Sequence, residues 1–231
     1  MIRRSSRALF SIRVLSVVLL TASIASAQSY KVEKITAPPP EEVAAAVREG
    51  LSGEALRVVG PQGPLCELWL RKSVPAKASP TQEVDITLGQ LAEGTLVGVV
   101  RFAAEVKDFR RQKVKPGVYT LRYALVPTDG NHLGVAPQRD FLLASPAAMD
   151  QNLDTIARDA TLNLSRKTTG TNHPSVWSLM AVEAQPASLP AVAHQEDGDL
   201  WLLQFRAPMK AGSAPSFVTM ALVIVGYAPA A

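Results

Sequence analysis

The sequence predicts a mainly β chain: an antiparallel β-sandwich of about eight or nine strands with two decorating helices. Period-two alternation of apolar and polar residues dominates the stretch from 54 to 227. Thirteen of the chain's seventeen prolines, several beside glycine, cut that stretch into short segments, and only two segments of the chain carry helical spacing. The helix–strand alternation of a doubly wound sheet is missing.

Residues 28–39 read as a flexible lead-in ending in Pro38-Pro39-Pro40. A short helix is predicted next. Pro40 suits its first position, Glu41 and Glu42 its positive start, and Val43 and Val47 its buried side, with Gly50 and Gly53 closing it. Strands are predicted at 54–59 and 65–72 across the turn Gly60-Pro61-Gln62-Gly63-Pro64, then at 84–88 and 95–103. In 118–126, Tyr119, Leu121, Tyr123 and Leu125 share one face, and Val118, Thr120, Arg122 and Ala124 the other. That predicts a half-buried strand with Arg122 toward water. A strand at 140–144 follows the twelve-residue loop 127–138.

The second helix is predicted from a Ser145 cap and Pro146 to Gly170, with Met149, Leu153, Ile156, Ala160 and Leu164 as its buried stripe. Asp150 and Asp154 lie near its positive end, Arg166 and Lys167 near its negative end. Strands at 175–182, 199–206 and 217–227 complete the count, the last apolar enough to be central and buried on both faces. The predicted organisation is a signal segment at 1–27, the lead-in at 28–39 and one β domain at 40–231.

The first 27 residues have the form of a cleaved signal peptide. Arg3, Arg4, Arg7 and Arg13 precede an apolar run from 14 to 22, and Ala25-Ser26-Ala27 gives an A-x-A exit before Gln28. The run falls short of the roughly 20 apolar residues that span a bilayer. The expectation is cleavage between Ala27 and Gln28, a periplasmic or secreted product, and no transmembrane segment afterwards.

All four excess positive charges of the full chain lie in that segment, so residues 28–231 balance at 20 basic and 20 acidic. A neutral remainder argues against nucleic acid as a partner, since such binding runs on clustered cations. Lys107, Arg110, Arg111, Lys113 and Lys115 form one basic stretch. It reads either as a solvated loop or as a docking patch for an acidic polymer or head group. Cys66 is the only cysteine, so no internal disulfide is available. Its alternation with Leu68 and Leu70 predicts a buried small hydrophobe.

No nucleophile elbow, phosphate loop, dinucleotide glycine motif, H-E-x-x-H or C-x-x-C occurs. His132, His173 and His194 lie in predicted loops and form the candidate metal set, for zinc or copper, if the fold gathers them. Asp129, Asn131 and His132, in the long loop 127–138, are the candidate ligand contacts. Trp69, Trp177 and Trp201 all fall in predicted strands beside other apolar residues, which favours core packing over sugar stacking.

The stretch Lys115-Pro-Gly-Val-Tyr-Thr-Leu-Arg-Tyr123, with Asp129-Gly-Asn-His132 and Arg139-Asp-Phe-Leu-Leu143, resembles uncharacterised secreted bacterial β-sandwich proteins. The resemblance covers about thirty residues. It implies a fold class and carries no catalytic residues.

The functional expectation is an exported, non-enzymatic binding or envelope-associated module, partnered by an envelope component or another protein. Two alternatives stand beside it. One is a metal-binding protein or metal-dependent enzyme using the loop histidines. The other is a carbohydrate-binding domain, which requires at least one tryptophan exposed beside polar groups.

Overall fold

The structure, a computed structural model, describes residues 29–129, 138–182, 188–211 and 214–228. It is mainly β with two helices, as the alternation predicts. The architecture, however, is one large antiparallel sheet curled into a half-barrel, not a sandwich of two sheets.

The strands in chain order are β1 (Lys31–Thr36), β2 (Leu51–Gly60), β3 (Gly63–Arg71), β4 (Val74–Pro75), β5 (Leu96–Phe102), β6 (Val106–Lys107), β7 (Lys113–Val114), β8 (Gly117–Leu125), β9 (Asp140–Pro146), β10 (Ser175–Met180), β11 (Ala191–Gln195), β12 (Leu200–Ala211) and β13 (Ala214–Val225). Helix α1 is Ala45–Glu49 and α2 is Arg158–Thr169. The main sheet runs β1-β2-β3-β5-β8-β9-β10-β13-β12-β11, with β4 added parallel to β12, and β6 and β7 form a separate hairpin. Strand β10 is where the sheet bends. Its first four residues pair with β9 and its last two with β13. The curl brings the two ends, β1 and β11, into contact.

Curling explains the burial pattern. The concave side holds the main core, including Leu56, Val58, Leu68, Leu121, Tyr123, Leu142, Leu203 and Phe205. The convex side is covered too. Val43 and Val47 around α1 pack on Ala55, Trp69 and Val99, and Phe109 packs in a third cluster with Phe141, Leu202 and Val223. Central strands are therefore buried on both faces, and β8 is solvent-shielded from Tyr119 to Ala124. The expected polar face of β8 does not exist.

Several boundaries move for physical reasons. Residues 31–36, expected in a flexible lead-in, form β1, whose charged residues Lys31, Glu33 and Lys34 suit an exposed sheet edge. Helix α1 starts only at Ala45, after a turn. The expected strand at 84–88 is irregular chain, and Val84 is fully exposed. Strand β11 was not foreseen.

The second helix shows the largest difference. Strand β9 runs through Ser145 and Pro146, and α2 begins at Arg158. Its buried residues are Thr161, Ser165 and Thr168, not the apolar stripe, and Met149 and Ala160 are exposed. The reason is visible in the bonds. Ser165 Oγ donates its single proton to the Ala144 carbonyl (2.9 Å), with the Ser175 carbonyl also in reach at 3.2 Å, and accepts the Ser175 N–H (2.9 Å). Thr168 Oγ1 donates to Ala144 (2.8 Å). The helix thus satisfies backbone groups of β9 and β10, and its polar side must face inward to do so. Gly170 terminates it in the left-handed conformation (φ 67°), as its position predicts.

Candidate functional site

Three buried aspartates are the first chemistry to account for, and each anchors a loop. Asp150 receives Arg122 side-on, Nε to Oδ2 at 2.7 Å and Nη2 to Oδ1 at 2.8 Å, and also the Thr120 hydroxyl at 2.6 Å. The other Arg122 donors go to the carbonyls of Gly94 (2.6 Å), Asp154 (2.8 Å) and Asn152. All five guanidinium N–H groups are satisfied, with both side chains essentially inaccessible. Arg71 assists by donating to the Leu153 carbonyl at 2.9 Å. Together they clamp the chain 147–157 over β8.

Asp140 accepts the backbone N–H groups of Thr87 (2.7 Å) and Leu88 (3.1 Å), the Thr87 hydroxyl and the Tyr123 hydroxyl (2.7 Å). Burial, reinforced by that bond to Asp140, pushes the Tyr123 phenol far above its ordinary range. Asp108 accepts the N–H groups of Arg110 (3.0 Å), Gln112 (2.9 Å) and Val176 (3.1 Å) and the Gln112 amide (2.8 Å). Its carboxyl is raised by burial, against the opposing effect of those bonds. These carboxylates are enclosed and hydrogen-bonded, so they hold loops and face no substrate.

Cys66 is buried among core residues, and burial together with nearby Glu67 pushes its thiol up to about 12. It is the small hydrophobe the alternation predicts.

The residues singled out from the sequence separate. Asn131 and His132 lie outside the described residues, as do Ala27 and Gln28. Asp129 is described and exposed at the start of its loop. His173 sits in the turn before β10, its Nδ1 3.2 Å from Arg110 Nη1. His194 lies on β11, not in a loop, with Nε2 2.7 Å from Asp199 Oδ1. Among the described residues no three metal-ligating side chains gather.

The His194 ring stacks on Trp201, its direct cross-strand partner, with centroids 4.3 Å apart. Trp201 in turn meets Tyr30 at 4.8 Å, just before β1. This aromatic row sits where the two ends of the curled sheet approach. Trp69 and Trp177 are core, as alternation predicts, and Trp201 is half-buried.

The second surface feature is electrostatic. The turn 108–112, folded by Asp108, joins the turn after α2. Gln112 Nε2 donates to the Pro174 carbonyl (2.8 Å), Thr171 Oγ1 donates to Gln112 Oε1 (3.1 Å), and Arg110 meets His173. This brings the 107–115 basic stretch beside Arg166 and Lys167 on the last turn of α2. Two adjoining depressions result, of about 680 and 330 Å³. Asn163, Arg166, Thr171 and Asn172 line the first, Lys115, Tyr119 and Thr169 the second, and Lys167 and Gly170 belong to both. Segments 105–115 and 163–173 carry seven basic and two acidic residues, whereas the remainder of 28–231 carries thirteen basic and eighteen acidic. Of the two acids, Asp108 is enclosed and Glu105 pairs with Lys113 at 3.1 Å.

The sequence displays half of this surface, the basic stretch. Arg166 and Lys167 read there only as complements to the helix dipole, and nothing local announces that the two meet. Comparison with family models, with curated proteins and with solved structures finds no match for the chain.

Proposed function

We propose that the chain is an exported, non-enzymatic binding module that associates with a component of the cell envelope. The observation that supports this reading most is the segregation of charge. A chain that balances over residues 28–231 gathers seven of its twenty basic side chains in two segments that meet, three of them lining the depressions, and is net acidic elsewhere. Such a separation steers and retains an anionic partner while leaving net charge unchanged. The interior supports the non-enzymatic part, because its buried carboxylates are engaged in anchoring loops.

Two measurements test the reading. Protein recovered from the periplasm or medium of a bacterial host should begin at Gln28 by mass spectrometry, and an intact Met1 on that material overturns export. Purified protein should co-sediment with an envelope fraction in 50 mM salt and be released at higher salt. Failure to co-sediment overturns envelope association.

Trp201 favours a second reading, a carbohydrate-binding domain. It is the half-buried tryptophan among the three, and it stands beside His194 and Asp199. A saccharide laid on that row would quench tryptophan fluorescence in wild type and not in Trp201→Phe.

A further inference from the structure

We infer that the groove between the C-terminal turn of α2 and the start of β8 binds an acidic polysaccharide, its carboxylates or sulfates seated on Lys115, Arg166 and Lys167. The inference rests on the binding-module reading and names its partner. Four observations carry it.

First, these cations have no acidic partner, although Arg166 donates to the Asn172 carbonyl (2.9 Å) and to Asn163 Oδ1 (2.8 Å). Among the described residues, Lys107, Arg110, Arg111, Lys115, Arg166 and Lys167 have no carboxylate within ion-pair distance. Second, the arrangement is locally unfavourable without a counter-ion. Lys107 and Lys113 face each other directly across the β6–β7 pairing, and only Lys113 has an acid beside it. Like charges opposite one another destabilise a hairpin, and local rules broken at the surface mark functional positions.

Third, the surface is concave and continuous. The two depressions share Lys167 and Gly170, so they form one trough in which a chain can lie. A lipid surface is flat and fits a protruding or level basic face better than a trough. Fourth, the lining between the cations includes amides and hydroxyls, from Asn163, Asn172, Thr169 and Thr171, beside the apolar Val118 and Pro146. The Thr169 and Thr171 hydroxyls and Asn163 Oδ1 are bound within the protein, which leaves the side-chain N–H groups of Asn163 and Asn172 to meet a sugar hydroxyl. Single-stranded nucleic acid would require free aromatic faces for its bases. Tyr119 is buried with its hydroxyl on the Lys115 carbonyl (2.8 Å), and Tyr227 lies under the Arg111 guanidinium.

The test is a titration of the full exported chain with polygalacturonic acid, followed by calorimetry at 50 and 200 mM salt. Dextran serves as the neutral polymer, and vesicles of phosphatidylglycerol and phosphatidylcholine and a short DNA duplex as the other anions. Wild type should bind polygalacturonate, bind it more weakly at the higher salt and ignore dextran. Lys115→Glu with Lys167→Glu should lower the affinity at least tenfold, while Lys31→Glu with Lys34→Glu, on the remote β1 edge, should leave it unchanged. Unfolding curves confirm that both variants are folded.

Equal binding by the two double variants overturns the groove assignment. Vesicles or duplex bound as tightly as polygalacturonate overturn the polysaccharide as partner. If polygalacturonate does not bind and envelope co-sedimentation persists, the inference fails and the binding-module reading survives. If both fail, both are wrong.

Discussion

Replacing Arg122 by alanine tests the central packing argument. Alternation along β8 places this side chain opposite Leu121, on a face expected to meet water, where truncation would cost no more than about 0.5 kcal/mol. The structure instead encloses it completely and pairs it with Asp150. Removing the guanidinium strands a buried carboxylate with only the Thr120 hydroxyl, and it takes the donors from three carbonyls. Breaking a buried ion pair from one side costs about 3–5 kcal/mol. Unmatched buried carbonyls add to that at about 1–3 kcal/mol each, although those on the clamped loop can regain water once it lifts.

An overall loss of about 4 kcal/mol follows, close to the roughly 2–5 kcal/mol expected for Leu121→Ala on the concave face. At about 2–4 °C per kcal/mol for a chain of this size, Tm falls by about 8–16 °C. Urea unfolding followed by tryptophan fluorescence measures it, with Trp69 and Trp177 as buried reporters. A double-mutant cycle with Asp150→Ala should return a coupling of at least about 2 kcal/mol. Arg122→Ala within about 0.5 kcal/mol of wild type, or an additive double variant, would refute the enclosed clamp.

Ser165→Ala should cost about 2 kcal/mol in the same assay, because it removes the acceptor of the Ser175 N–H and one of the two hydroxyl donors to the Ala144 carbonyl. An unchanged midpoint would mean that α2 does not dock through its polar side. Cys66, with its thiol raised to about 12, holds only about one thiolate in ten thousand at pH 8. It should resist a thiol reagent until urea unfolds the chain, and rapid labelling of native protein contradicts its burial. Burial raises the Asp108 carboxyl, so the folded state takes up that proton before the unfolded chain does. Stability through this group therefore rises as pH falls through the raised value toward the ordinary carboxylate range, and is lost as the folded carboxylate ionises. The difference in unfolding free energy between wild type and Asp108→Asn should shift in that direction between pH 6 and pH 4, and a pH-independent difference counts against it.

Local patterning by itself determined that the chain is mostly strand. It placed β5 and β8 to within a residue at each end and β3 and β9 to within two, and it covered six of the ten residues of β2, because period-two alternation and glycine–proline turns are properties of adjacent residues. It also identified Cys66, Trp69 and Trp177 as core and Gly170 as a helix stop. Only the tertiary structure decided what the second face of each strand meets. A strand bears the same alternation whether its polar residues touch water or, like Thr120 and Arg122, close a hydrogen-bonded clamp against a returning loop. Helix α2 shows the same limit. Three residues of the predicted stripe, Met149, Leu153 and Ile156, lie before α2, and within the helix the open backbone groups of β9 and β10 attract Ser165 and Thr168, since unpaired buried backbone groups cost more than a few half-exposed methyl groups. The basic groove is likewise a product of assembly. Lys115 and Lys167 stand 52 positions apart in the chain and come together because α2 docks its last turn on β9, beside the start of β8. Electrostatic fields add over space, so residues distant in sequence make one surface that no local motif records.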